Sequence, residues 1–165
     1  MIVEIQDGAQ RVVILGAGLI GCEFANDLLA LGIQPTVIDP APNPLGRLLP
    51  PEAGAWLKGR LTQAGITFLN GVAAEKVEAD ASGSLAVTLT DGSRLLTDAV
   101  LSAVGLRPRT SLAQAAGVMT ARGVLTNRFL RTSAEGIFAL GDCVEVQHEA
   151  QSHVLPYVMP LMQQA

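Results

Sequence analysis

Three glycines and a carboxylate carry the clearest chemistry in this chain. Gly16, Gly18 and Gly21 stand as GxGxxG directly after the apolar run Val12-Val13-Ile14-Leu15, with Ala25 and then Asp39 following. Gly16 permits a tight strand-to-helix turn, Gly18 lets the backbone approach a pyrophosphate, and Gly21 with Ala25 lets helix and strand pack closely. A pyrophosphate would then rest on free N–H groups at a helix N-terminus. GxGxxG alone matches many glycine-rich turns. Its context here is an apolar strand before it, a helix from Leu19 to Leu31 after it, and a second strand Thr36-Val37-Ile38 ending in Asp39. Together these make a βαβ unit of the size a dinucleotide needs.

Other residues that could do chemistry are sparse. No Ser/His/Asp set or paired carboxylates can be found. Cys22 and Cys143 lie far apart with no CxxC, which argues against a disulfide framework or a redox dithiol. Cys22 reads as a small buried packing residue. Cys143, His148 and His153 form a C-x4-H-x4-H spacing, but it fits no common zinc pattern and falls in what reads as polar loop, so no metal is expected. Glu23 could be a solvated helix residue, and Asp142 could cap a turn after a strand. Arg107 suits a backbone or phosphate contact better than catalysis.

The elements that must position these residues alternate. Pro40 to Pro44 cannot be helical and carries the chain across the sheet edge. Pro51 to Ala64 reads as a helix, started by Pro51 and stopped by Gly65. Ile66 to Leu69 reads as the next strand. The order β-α-β-α-β with right-handed crossovers predicts a Rossmann-like α/β fold with a parallel sheet of order 3-2-1. From Val72 the period changes: Val72 to Ala79, Leu85 to Thr90 and Arg94 to Leu96 predict a three-stranded meander with turns at 80–83 and Asp91-Gly92. A strand Ala99 to Val104 follows, running into Gly105, and Gly136 to Gly141 is expected to form a last short strand ending in Asp142. Pro156 to Ala165 looks like the first turns of a helix.

Composition sets bounds. The 165 residues suit one domain with a sizeable core. Hydrophobic residues are 49% and charged residues 16%, yet the apolar stretch from Val12 is broken at Glu23, Asn26 and Asp27, so no membrane segment is expected. The opening MIVEIQDGAQ has no basic or apolar leader region, which makes the cytoplasm the expected location. A net charge of -4 and 4% aromatic residues argue against nucleic acid as a partner.

A βαβαβ unit interrupted by a meander, followed by VLSAVGLRPRT and then EGIFALGDC, resembles the NAD-binding region of the flavin-dependent pyridine nucleotide oxidoreductases, from Arg11 to about Met162. LPYVMPLM after the GDC segment looks like the rubredoxin reductases within that superfamily; ferredoxin reductases and the nitrite reductase flavin subunit are relatives. The resemblance implies cofactor contacts from Gly16, Gly18, Leu19, Ile20, Gly21, Asp39, Val104, Gly105, Asp142 and Val158. Asp39 would accept hydrogen bonds from the adenosine ribose. Glu23 would act catalytically by orienting the nicotinamide over the flavin, Gly105 would touch the nicotinamide side, and Asp142 would bind the ribityl chain of FAD.

The implied activity is electron transfer from NADH through FAD to rubredoxin or a similar iron carrier. The implied organisation is an N-terminal extension at 1–10, an NAD(H)-binding domain at 11–135 and a segment at 136–165 that returns to an FAD domain in relatives. No second GxGxxG precedes Arg11, so the FAD half is expected to be missing from this chain. Alone, it is therefore expected to bind no flavin, to be inactive and to self-associate through its exposed apolar face. A non-catalytic dinucleotide-binding module is the alternative.

Overall fold

A computed structural model describes residues 8–80, 83–148 and 151–154. They form two compact units that divide between Gly105 and Leu106. In the first unit, β1 (Arg11–Leu15), β2 (Gln34–Asp39), β3 (Thr67–Asn70) and β7 (Ala99–Ser102) make a parallel sheet of order β3-β2-β1-β7, so the predicted 3-2-1 order holds, with β7 added beside β1. Val13 pairs with Thr36 on one side and Val100 on the other. A strand flanked on both sides and covered on both faces must be apolar where it is covered, and after the exposed Arg11 the residues Val12, Val13 and Ile14 are all buried.

The two faces are covered differently. α1 (Leu19–Ala30) places Ala25 and Leu28 in one cluster with Val12, Ile14 and Val37. The opposite face, Val13, Ile38 and Val100, packs on Val87 and Leu89. β5 (Leu85–Leu89) is the central strand of an antiparallel meander with β4 (Ala74–Ala79) and β6 (Arg94–Thr97). The period-2 alternation of β1 thus feeds a helical layer on one side and a β layer on the other. α2 (Pro51–Ala64) has the predicted limits: Pro51 opens it and Gly65, at φ 117°, ends it in the left-handed conformation.

A carboxylate ties β7 to the start of the sheet. Asp98 accepts hydrogen bonds from the backbone N–H groups of Gln10 (3.0 Å) and Arg11 (2.9 Å) and from the Arg11 guanidinium (2.9 Å). The Arg11 side chain first, then these amides, hold its carboxyl at about 2. A carboxylate with a folded-state pKa below its unfolded value of about 3.9 stabilises the fold above that value and loses this contribution as the pH falls from about 4 to 2. Asp98→Asn is expected to lower the melting temperature at neutral pH and to flatten its decline between pH 5 and 2. Parallel melting curves for the two proteins over that range would remove this role for Asp98.

The second unit differs from the sequence expectation. It contains a short helix α3 (Ser111–Ala115) and a three-stranded sheet of β8 (Val124–Thr126), β9 (Val144–His148) and β10 (Gln151–His153). The strand expected at Gly136 to Gly141 is absent. That segment makes one isolated bridge, Phe138 to Arg131, and its bounding glycines have φ of 71° and 94°, which extended pairing does not accommodate. The polar stretch after Cys143 is an antiparallel hairpin instead of a loop. Its burial pattern is unusual because Glu145 is inside. The carboxylate accepts from Ser152 Oγ (2.6 Å) and the Gly123 N–H (2.9 Å), and the Ser152 hydroxyl is the main cause that holds its pKa below the usual value.

Among the described residues no helix is long and apolar enough to cross a membrane.

Candidate functional site

The three glycines have separate tasks. Gly16, at φ 104°, donates its N–H to Ile38 O (2.8 Å), and a Cβ there would stand 2.5 Å from Ala103 O. A Cβ on Gly21 would stand 1.9 Å from Gly16 O. The fold itself therefore requires both. Gly18 is different: its backbone is extended and nothing lies within 4 Å of where a Cβ would be. Gly18 is also the N-cap of α1, and neither a side-chain cap nor an acidic residue of the first turn satisfies that helix end. Open space beside an uncapped helix N-terminus fits the pyrophosphate of a dinucleotide.

Asp39 links this turn to the loop that follows β2. Its Oδ2 accepts from the Ala17 N–H (2.6 Å) and its Oδ1 from the Ala41 N–H (2.7 Å). Each oxygen keeps a free lone pair, so hydroxyl donors of a ribose can still be accepted. Two further contacts pin the loop: the Leu45 N–H donates to Ala17 O (2.8 Å), and Asn70 Nδ2 donates to Ala41 O (2.9 Å). Leu45 itself sits at φ 55°.

Sequence reasoning did not single out Ala17, Leu45 or Asn70. The available signal was Asn70 at the end of β3, in register with Asp39 at the end of β2.

The remaining candidates of the first unit gather at the same carboxyl edge of the sheet. Ala103 N–H donates to Leu15 O (2.8 Å), which brings the chain past Gly16 and leads into the exposed Val104 and into Gly105, at φ 98°. Leu19 and Ile20 are about half exposed in the first turn of α1. Glu23, also exposed, lines with Leu19, Asn26, Asp27, Leu45 and Leu57 an open cleft of ≈ 510 Å³. Cys22 is buried behind the turn, its Sγ donating to Ala17 O (3.6 Å). Burial, then the nearby charges of Asp39 and Glu23, push its thiol up to about 11, which leaves it protonated and unreactive near neutral pH.

The structure brings Gly16, Gly18, Gly21, Asp39, Val104 and Gly105 together; it does not do so for every candidate. Asp142 and Arg107 belong to the second unit, where both are exposed, Asp142 in the turn before β9. Val158, the LPYVMPLM segment and the helix expected from Pro156 lie outside the described residues. Among the described residues no group of three or more His, Cys, Asp or Glu side chains is placed to hold a metal ion.

The sequence profile of the pyridine nucleotide-disulphide oxidoreductase family matches residues 2–164. A rubredoxin-NAD(+) reductase from Acinetobacter baylyi is 54% identical over 157 residues, covering 94% of this chain and 39% of that protein. A nitric oxide reductase FlRd-NAD(+) reductase from Klebsiella pneumoniae is 43% identical over 154 residues, covering 93% of this chain and 40% of the other. Among solved structures, a ferredoxin reductase from Rhodopseudomonas palustris superposes with a TM-score of 0.89 at 33% identity, covering 94% of this chain and 39% of that one. The chain thus spans about two fifths of the length of these relatives.

Proposed function

Because the chain belongs to the pyridine nucleotide-disulphide oxidoreductase family, we propose that it is the NADH-binding portion of an FAD-dependent reductase that passes electrons to rubredoxin or a similar iron carrier. The observation that carries this reading is the open space at Gly18, beside the uncapped N-terminus of α1, in a turn whose Ala17 binds Asp39 and whose Gly16 lies against Ala103 and Val104. The similarity to a rubredoxin-NAD(+) reductase supports the choice of acceptor. A ferredoxin reductase is the second reading, favoured by the structural match to one.

In this reading the N–H groups at Leu19 and Ile20 bind the pyrophosphate, Asp39 accepts the ribose hydroxyls, and Val104 and Gly105 border the nicotinamide. Glu23 orients the nicotinamide carboxamide from the exposed face of α1. Asp142 is assigned to the ribityl chain of FAD and Val158 to a cofactor contact. When bound, NADH supplies the reducing equivalents and FAD relays them. The protein's own share is orientation, which is why no acid–base pair is needed.

Asp39 also predicts the choice of nicotinamide cofactor. A carboxylate at the ribose repels a 2′-phosphate, and no arginine follows before Arg47. Calorimetric titration of this chain is expected to show NADH binding at least about fivefold tighter than NADPH, since like charges a few ångströms apart near a protein surface cost about 1 to 4 kcal/mol. Equal or tighter NADPH binding would refute the reading of the Asp39 loop, and no binding of either would refute the site.

A further inference from the structure

Asn70 has a side chain that stability alone does not explain. Its Nδ2 donates to Ala41 O (2.9 Å), yet its Oδ1 is buried with no hydrogen-bond partner. A buried acceptor left unpaired is a cost that an apolar residue of similar shape would avoid. What the amide supplies in return is its one bond, and that bond goes to the peptide next to Asp39.

The consequence lies in what Ala41 holds. Its N–H donates to Asp39 Oδ1 (2.7 Å), so one residue is gripped from both sides, by Asn70 through its carbonyl and by Asp39 through its amide. This fixes the rotation of the Asp39 carboxylate, whose other oxygen is held by Ala17. It also fixes the first half of the loop that leads to Arg47. The second half is tied at Leu45 to Ala17 O (2.8 Å), two residues before Arg47, which is exposed. The loop therefore has one anchor at Ala41, between Pro40 and Pro42, and another at Leu45, after Pro44, and the first is supplied by the side chain of a distant strand residue, Asn70.

We infer that Asn70 is a specificity-determining positioning residue: by clamping Ala41 it keeps the Asp39 carboxylate directed at the ribose and keeps Arg47 from reaching a 2′-phosphate. This inference rests on the NADH-binding reading above. Releasing the clamp lets Asp39 rotate and the loop carry its cation inward, so the cofactor that gains is NADPH. A residue that merely stabilised the site would weaken both cofactors in proportion.

The test is titration of NADH and NADPH against this chain and its Asn70→Ala and Asn70→Leu variants, with melting temperatures measured alongside. Asn70→Leu retains volume and removes the unpaired acceptor, so it folds even if the alanine variant does not. Loss of one hydrogen bond that orients a charged group is expected to reduce the NADH over NADPH preference about tenfold in both variants, without a fall in the melting temperature of Asn70→Leu. Adding Arg47→Ala to either variant is expected to restore rejection of NADPH. An unchanged preference, proportional loss of both affinities, or no effect of Arg47→Ala would each overturn the inference while leaving the NADH-binding reading of the unaltered chain in place. If the unaltered chain binds neither dinucleotide, the underlying reading fails, and this inference with it.

Discussion

Gly18→Ala and Gly21→Ala are expected to separate binding from folding, with opposite large effects. At Gly18 nothing lies within 4 Å of the added methyl, so the fold tolerates it. Alanine is a poorer N-cap than glycine by up to about 1 kcal/mol, which lowers the melting temperature by no more than about 4 °C. The methyl would, however, occupy the space proposed for the pyrophosphate, and NADH affinity is expected to fall about 100-fold, equivalent to about 2.7 kcal/mol. At Gly21 the methyl would stand 1.9 Å from Gly16 O, a backbone atom that cannot swing aside. Forcing the turn apart costs about 3 kcal/mol or more, so the melting temperature is expected to fall by about 6–12 °C. Thermal denaturation and NADH titration on the two variants check both halves. A Gly18→Ala protein that keeps its NADH affinity would move the pyrophosphate away from this turn.

What was legible in the sequence follows from how local each determinant is. Gly16, Gly21 and Gly65 announce their conformations because a positive φ or a close approach excludes other residues, and Pro51 marks a helix start by its missing N–H. The unbroken apolar run of β1 and the short alternating strands of the meander gave the sheet and its second layer. In the second unit such signals mislead, because Gly136 and Gly141, both at positive φ, bound the segment that reads as a strand. Glu145 is buried in β9, where alternation calls for an apolar or outward residue, because Ser152 and Gly123 satisfy it from segments the sequence does not connect. The apolar Ile137, Phe138 and Leu140 read as a strand but lie exposed, with only Phe138 in a bridge. The clamp around Asp39 was equally hidden: Asn70 reaches a carbonyl 29 positions earlier, a contact that exists only once β2 and β3 are in register.

Asp39→Asn is expected to change both stability and cofactor choice, because the carboxylate serves the fold and the proposed site at once. The amide retains one oxygen, so either Ala17 N–H or Ala41 N–H would face an NH2 group in place of its acceptor. Losing one hydrogen bond to a charged group costs about 1.5–3 kcal/mol, and the melting temperature is expected to fall by about 3–12 °C. NADH affinity is expected to drop about tenfold as the ribose loses a charged acceptor, while NADPH, no longer repelled, changes little. The preference for NADH then approaches unity. Salt supplies an independent check, since repulsion between the half-buried Asp39 carboxylate and a 2′-phosphate at the surface is weakened by screening, whose length is about 10 Å at 0.1 M ionic strength. The NADH preference of the unaltered chain is therefore expected to shrink as salt is raised, and that of Asp39→Asn to stay level. If the variant keeps its preference at every salt concentration, rejection of NADPH comes from the shape of the Pro40–Pro44 loop and not from charge.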